Sequence, residues 1–252
     1  MITKTLKLGS VGGDVISWQT FLKGLFKTNL IIDGDFGEQT YKLTLRFQLE
    51  NGISQDGIVG PKTLAKALQV GLHLPDTSYT SNVSMLSESD KKQLFGSFSY
   101  IPEPQPNNPE GIKILGSWVG DNISIFNIPQ LKTVTGAPKS GNVYFHKQAG
   151  PIFQKLFQTW EDEGLMQYVI SWEGSFFPRF VRGSKTYLSN HCYGSAFDIN
   201  GLANRLGSTP AQIGERGSVR LLVPFAESLG VFWGGNFDRP DGMHFEIGKS
   251  EF

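Results

Sequence analysis

The sequence predicts two folded units in one chain, a small all-α three-helix bundle followed by a larger α+β domain. Three observations lead there. Apolar residues recur at helical spacing through residues 6–70, and one phrase repeats at the entrances of two of those helices. Beyond a stretch rich in Ser, Thr, Asn and Pro, the pattern changes to short alternating strands around one amphipathic helix. The length of 252 residues suits this division, since a domain takes roughly 100–200 residues. With 39% hydrophobic, 12% aromatic and 18% charged residues, the chain can build cores and lacks the composition of a disordered one.

In the first helix Val15, Trp18, Phe21, Leu22 and Leu25 form the stripe, with Asp14 expected as N-cap. Tyr41, Leu45 and Leu49 mark the second helix, Phe47 and Gln48 filling out its faces, and Leu64, Ala67 and Leu68 mark the third. The last two are preceded by DGDFGEQT (Asp33 to Thr40) and DGIVGPKT (Asp56 to Thr63), a shared D-G-x-x-G-x-x-T. Its glycines suit turns, and Pro61 suits the first turn of a helix. Trp18, Phe36, Phe47 and Gln48 read as core, because aromatics at helical spacing are more often packed than ligand-touching.

From Gly71 to Pro109 the composition is irregular, with DKKQLFGSF inside it open to either side. The expected division is 1–70 for the bundle, 71–95 for a linker and 96–252 for the second domain. There ISIFNIP and NVYFH alternate like strands, and PIFQKLFQTWEDEGL has Ile152, Leu156 and Trp160 on one helical side.

Charge and cysteine content narrow the function. Lys plus Arg (23) equals Asp plus Glu (23), so no basic field exists to hold nucleic acid or an anionic membrane. The single cysteine, Cys192, permits neither an internal disulfide nor a Cys-based zinc finger, so a metal would need His, Asp or Glu. The opening MITKTLKLGSVGGD lacks a secretory apolar run, and no window approaches the ~18 apolar residues of a membrane span. The expectation is a protein made in the cytoplasm without a signal peptide.

Chemistry concentrates in SNHCYGSAFDIN (Ser189 to Asn200) and DGMHFEIG (Asp241 to Gly248). Strand alternation puts His244 and Glu246 on one face of MHFEI, opposite Met243, Phe245 and Ile247, and sets Asp198 apart from Phe197 and Ile199. His191, Asp198 and His244 supply two imidazoles and a carboxylate, the set a catalytic zinc site with one open position requires. Asp241, three residues before His244, is near enough to take a proton from an attacking water. No H-E-x-x-H occurs, which excludes the helical zinc-protease arrangement.

Two resemblances join these readings. LKLGSVGGDVISWQTFL, IIDGDFGEQT, LRFQLENGI and DGIVGPKTL are similar to the three-helix peptidoglycan-binding domain found on many cell-wall hydrolases. S-x-H-x-x-G-x-A-x-D over Ser189 to Asp198, then D-x-M-H-F-E from Asp241, resembles the D-Ala-D-Ala carboxypeptidase and L-alanyl-D-glutamate endopeptidase family of zinc peptidases. The second resemblance implies an α+β domain with a mainly antiparallel sheet and a bound Zn2+. It further implies His191, Asp198 and His244 as metal ligands and Asp241 as general base. Beside it, Ser189 reads as a hydrogen-bonding residue behind the ligands rather than a nucleophile, and Glu246 reads either as orienting a ligand or as plain strand surface.

The family places an arginine upstream of the first ligand to hold a substrate oxygen. GSFFPRFVRGS offers Arg179 and Arg182, of which Arg179 sits closer to the family phrase; an ion pair is the expectation for the other. Asp rather than Glu at position 241 is the form of phage-lysin endopeptidases and points to the L-Ala/D-Glu bond of the stem peptide. The alternatives are a D,D-carboxypeptidase removing terminal D-Ala and a non-catalytic wall-binding protein.

The resulting expectation is a monomeric, phage endolysin-like enzyme that reaches bacterial peptidoglycan at host lysis. Of the remaining residues, Cys192 reads as a small buried side chain, Tyr193, Trp233 and Asp238 as cleft-lining, and His146 as structural. Gly234 and Gly235 read as backbone near the site, and His73 as solvent-exposed.

Overall fold

The computed structural model describes residues 5–72, 83–212 and 215–250; His73 lies outside them. The bundle consists of α1 (Gly13–Phe26), α2 (Glu38–Glu50) and α3 (Pro61–Gln69) around Leu6, Val15, Trp18, Leu22, Phe36, Phe47, Leu64 and Leu68. Helix α1 is entered through Gly12 at φ 114°, a conformation open to glycine, so Asp14 is not the N-cap but a first-turn acid near the positive end of the helix.

The buried face of α2 also departs from the expected stripe. Thr40, Thr44, Phe47 and Gln48 are buried, whereas Leu49 is 61% exposed and Tyr41 and Leu45 are half-buried. The polar residues are inside because each has a partner there. Trp18 Nε1 donates to Thr44 Oγ1 at 2.9 Å, and Gln48 belongs to one of two matched networks.

These networks account for the repeated phrase. Gln19 Nε2 donates to Asp33 Oδ1 (2.8 Å), the Asp35 carbonyl (2.9 Å) and Thr40 Oγ1 (3.1 Å), while its Oε1 accepts from Gly34 N–H (2.9 Å). Gln48 repeats this with Asp56 Oδ1 (2.7 Å), the Ile58 carbonyl (2.9 Å), Thr63 Oγ1 (3.1 Å) and Gly57 N–H (2.8 Å). Each glutamine thus ties a preceding helix to the turn and first hydroxyl of the next. The glycines are required, since Gly34 and Gly57 have φ 77° and 69°, and a Cβ on Gly57 would lie 2.0 Å from the Tyr41 ring.

The larger unit begins with β1 (Val83–Met85) and α4 (Glu88–Phe95), the latter opened by a Ser87–Asp90 capping box. Next come the hairpin β2 (Tyr100–Pro102) and β3 (Ile112–Ile114), helix α5 (Trp118–Asn122), and the hairpin β4 (Ile123–Asn127) and β5 (Asn142–His146). Helix α6 (Gly150–Asp162), β6 (Trp172–Gly174), the single turn α7 (Asn190–Tyr193), β7 (Ala196–Ile199), α8 (Val223–Ser228), β8 (Val231–Trp233) and β9 (His244–Ser250) complete it.

Strands β1, β6, β7, β8 and β9 form one five-stranded antiparallel sheet in which β9 pairs with β1, β7 and β8. The fold class agrees with expectation: a helical unit, then α+β with antiparallel sheets. Helix α6 lays Phe153, Leu156, Phe157 and Trp160 on this sheet, with Ile152 only partly buried. Phe197 of β7 stacks on Phe245 of β9 (5.3 Å) and Trp172 of β6 (5.7 Å), so the apolar face under the candidate site is a continuous aromatic layer.

One feature differs from the expected division. Within the interval 71–95 assigned to a linker, Val83, Ser84 and Met85 pair with Ser250, Lys249 and Gly248, and Leu86 and Phe95 enter the large core. The ordered sheet therefore reaches back to Val83. The two units also pack against each other: Ala65 of α3 joins the large core, Leu221 joins the bundle core, and Lys62 Nζ lies 3.1 Å from Glu163 Oε2.

Candidate metal centre and catalytic cleft

Three short elements carry the site. Ser189 Oγ accepts from the His191 N–H at 3.3 Å and starts α7, which Gly194 ends at φ 64°. A Cβ on Gly194 would lie 2.7 Å from the His146 backbone nitrogen, so glycine is needed both for the turn and for the approach of β5. Strand β7 follows at once, and its register on β9 sets Asp198 opposite His244 and Ala196 opposite Glu246. Those neighbouring strands and the one turn beside them bring His191, Asp198 and His244 together.

Their donor atoms form a small triangle. His244 Nδ1 is 2.9 Å from Asp198 Oδ1, His191 Nε2 is 3.2 Å from the same oxygen, and the two ring nitrogens are 3.2 Å apart. A tetrahedral ion with bonds of about 2.0–2.1 Å would separate its ligand atoms by about 3.3 Å, so these side chains fit such an ion.

Hydrogen bonding on the outer side of each ring supports that fit. His191 Nδ1–H donates to the Ser175 carbonyl at 2.6 Å, which turns the Nε2 lone pair toward Asp198 and His244. His244 Nε2–H points at Glu246 Oε2 at 2.8 Å, leaving Nδ1 to face inward. Three electron-rich atoms then meet with no donor between them, an arrangement that favours a cation.

Without the ion, protons supply the positive charge that this triangle attracts. Burial opposes charge on Asp198, yet contact with His191 and His244 holds its carboxyl well below the ordinary range. Burial also opposes charge on His244, but hydrogen bonds to Asp198 and Glu246 lift it to about 10.

Asp241 lies in the turn before β9, near enough for its charge to act on His191, Asp198 and His244. Its backbone N–H donates to the Gly234 carbonyl (2.8 Å) and its carbonyl accepts from His244 N–H (3.0 Å). A Cβ on Gly234 would lie 2.7 Å from the Asp241 oxygen, so the W-G-G segment brings its backbone against the site. Asp241 Oδ1 is buried with no hydrogen-bond partner among the described residues. Burial raises this carboxyl above its ordinary value, with Asp198 adding to the effect and His244 opposing it.

The two arginines separate clearly. Arg182 Nη1 donates to Glu110 Oε2 at 2.6 Å, and Glu110 Oε1 also accepts from Gly183 N–H. Among the described residues Arg179 has no such carboxylate partner; its guanidinium bonds only the Phe180 carbonyl, at 3.2 Å, and its charge acts on Asp198 and Asp241. Burial, then Arg182, lowers its affinity for the proton.

Cys192 holds Arg179 in place: its S–H donates to the Arg179 carbonyl (2.7 Å) while its sulfur accepts the Arg179 N–H (3.1 Å). Burial pushes that thiol up to about 11, so it is not a thiolate nucleophile.

The three residues expected to line the cleft have different surroundings. Tyr193 is buried among Phe95, Phe98 and Trp118. Trp233 is buried and its Nε1 donates to the Gly242 carbonyl at 2.8 Å, steadying the turn that carries Asp241. Asp238 is exposed. His146 is buried against Phe95, as a structural histidine would be.

Glu246 is buried at 2% exposure, not strand surface. Sequence reasoning missed the Ser175 carbonyl, Asn190, whose Nδ2 donates to Glu246 Oε2, and Glu110. Only Asn190 left a trace, as the residue preceding His191.

Comparison with known proteins places this geometry. Residues 182–247 match the family described as D-alanyl-D-alanine carboxypeptidase, and residues 11–67 match the peptidoglycan binding domain family. The first match includes His191, Asp198, Asp241, His244 and Glu246 and begins after Arg179. The chain is 38% identical over 63 residues to the spore cortex-lytic enzyme of Halalkalibacterium halodurans, covering 25% of this chain and 19% of that protein. It is 42% identical over 53 residues to the N-acetylmuramoyl-L-alanine amidase CwlM of Mycobacterium tuberculosis, covering 21% of this chain and 13% of that protein. These likenesses are local, since the matches span less than a fifth of either relative.

Proposed function

We propose, from the premise that a peptidoglycan-binding segment precedes a D-alanyl-D-alanine carboxypeptidase-like one, that this protein is a cell-wall peptidase cleaving the peptidoglycan stem peptide between L-Ala and D-Glu. The observation that carries the reading is the convergence of three inward lone pairs near a carboxylate oxygen, Asp241 Oδ1, that is buried with no partner among the described residues. His191, Asp198 and His244 would hold zinc, which when bound polarises a carbonyl and makes water acidic near neutral pH.

The chain's own groups supply the rest. Asp241 Oδ1 accepts the proton of the attacking water and delivers it to the leaving amine, a task suited to a carboxyl raised by burial. Arg179, without an internal carboxylate partner, binds the oxygen of the substrate carbonyl or carboxylate. The bundle keeps the peptidase on its polymer, raising local substrate concentration.

The D,D-carboxypeptidase reading is second, favoured by the description of the matching family. Asp at 241, the form that the resemblance links to phage lysins, favours the endopeptidase.

Purified peptidoglycan digested with and without a chelator, with mass spectrometry of the products, separates these readings. Chelator-sensitive release of peptides with new D-Glu amino termini is the expected result. Free D-Ala would establish the carboxypeptidase, and no cleavage of any wall type would leave a wall-binding protein.

A further inference from the structure

We propose that Asn190 is a positioning residue that fixes the metal-binding triangle by bridging the two elements carrying its histidines. Asn190 adjoins His191 on the single turn α7, while His244 and Glu246 lie on β9, across the strand that carries Asp198. Asn190 Nδ2 donates to Glu246 Oε2, the same oxygen that receives His244 Nε2–H. One amide therefore links the neighbour of one ligand to the orienting partner of the other. Among the described residues the amide is bonded through that nitrogen alone, since Asn190 Oδ1 is buried without a partner there.

A carboxylate held by two donors on one oxygen cannot swing away from the imidazole it orients. With the amide gone, Glu246 keeps a single donor from this side. The His244 ring is then free to turn its Nδ1 off Asp198, and the inward triangle loosens. Loss of such an outer hydrogen bond lowers metal affinity by about 10- to 100-fold.

The inference rests on the metal-site reading above, and its test keeps the two apart. Full-length wild type, Asn190→Ala and the nearly isosteric Asn190→Asp are each titrated with zinc against a chromophoric chelator. Both variants are expected to bind zinc at least about 10-fold more weakly than wild type. In a Glu246→Gln background the Asn190→Ala change is expected to add little, because the amide acts through that carboxylate.

Zinc affinities equal to wild type in both variants would overturn the role of Asn190. Fully additive losses in the double variant would do the same, marking a general structural effect. A wild-type chain that takes up no zinc would instead overturn the metal site itself, and the role of Asn190 with it.

Discussion

The bundle and the larger unit both bury polar side chains, but they finish the hydrogen bonding differently. In the bundle Gln19 and Gln48 each have donor and acceptor satisfied, and each closes a loop onto the following helix. In the larger unit Asp241 Oδ1 and Asn190 Oδ1 have no partner, and the inner atoms of His191, Asp198 and His244 face one another. Closed networks specify a fold, whereas a buried polar atom left open costs stability and persists where it has chemistry to do. The repeated phrase of the bundle is thus a device for stacking helices, and in the second unit the open Asp241 oxygen lies near the three inward-facing donor atoms.

The comparison breaks first at Asp241. Asp241→Asn should lower kcat on stem peptides by about 10²–10⁴-fold with zinc content unchanged, and an undiminished rate would remove the base. Next is the contrast between arginines. Arg179→Ala should reduce kcat/KM about 10²-fold. Arg182→Ala, which breaks only a partly exposed pair with Glu110, should cost less than about 1 kcal/mol in stability and little activity; the reverse pattern would exchange their roles.

Gln48→Ala tests the closed side. It leaves Gly57 N–H and Asp56 short of partners and should destabilise the bundle by about 1–3 kcal/mol in denaturant. Cleavage of a short soluble stem peptide should be unchanged, and a parallel fall would show that the network serves the cleft. The smallest effect is expected at Cys192. Cys192→Ala frees the Arg179 backbone and should raise KM a few-fold without changing zinc affinity, whereas a loss of zinc would place the thiol's role at the metal.

Much of this was legible in the sequence because the informative residues lie close together in it. His191 and Asp198 are a turn and a strand apart, and strand alternation alone puts His244 and Glu246 on one face. What was illegible depends on partners distant in the chain. Nothing in the local pattern of α2 marks Thr44 as buried until Trp18 is beside it, and Gln48, read as core, gains its reason only from the Asp56 turn. Three-residue β1 is too short for any periodicity and exists because β9 offers an edge. The choice between Arg179 and Arg182 turns on Glu110, which no local pattern connects to either.

The seam between the two units alters how attachment to a wall would act. Ala65, Leu221 and the Lys62–Glu163 pair join the bundle to the larger unit by packing. A catalyst on a leash samples a sphere around its anchor, whereas a docked one works like a caliper, presenting its jaw at one distance and one attitude. On a polymer of repeating units, such an instrument selects stem peptides by their spacing and orientation relative to the anchored repeat. The choice of which bonds are cut would then belong partly to the seam, far from the residues that cut them.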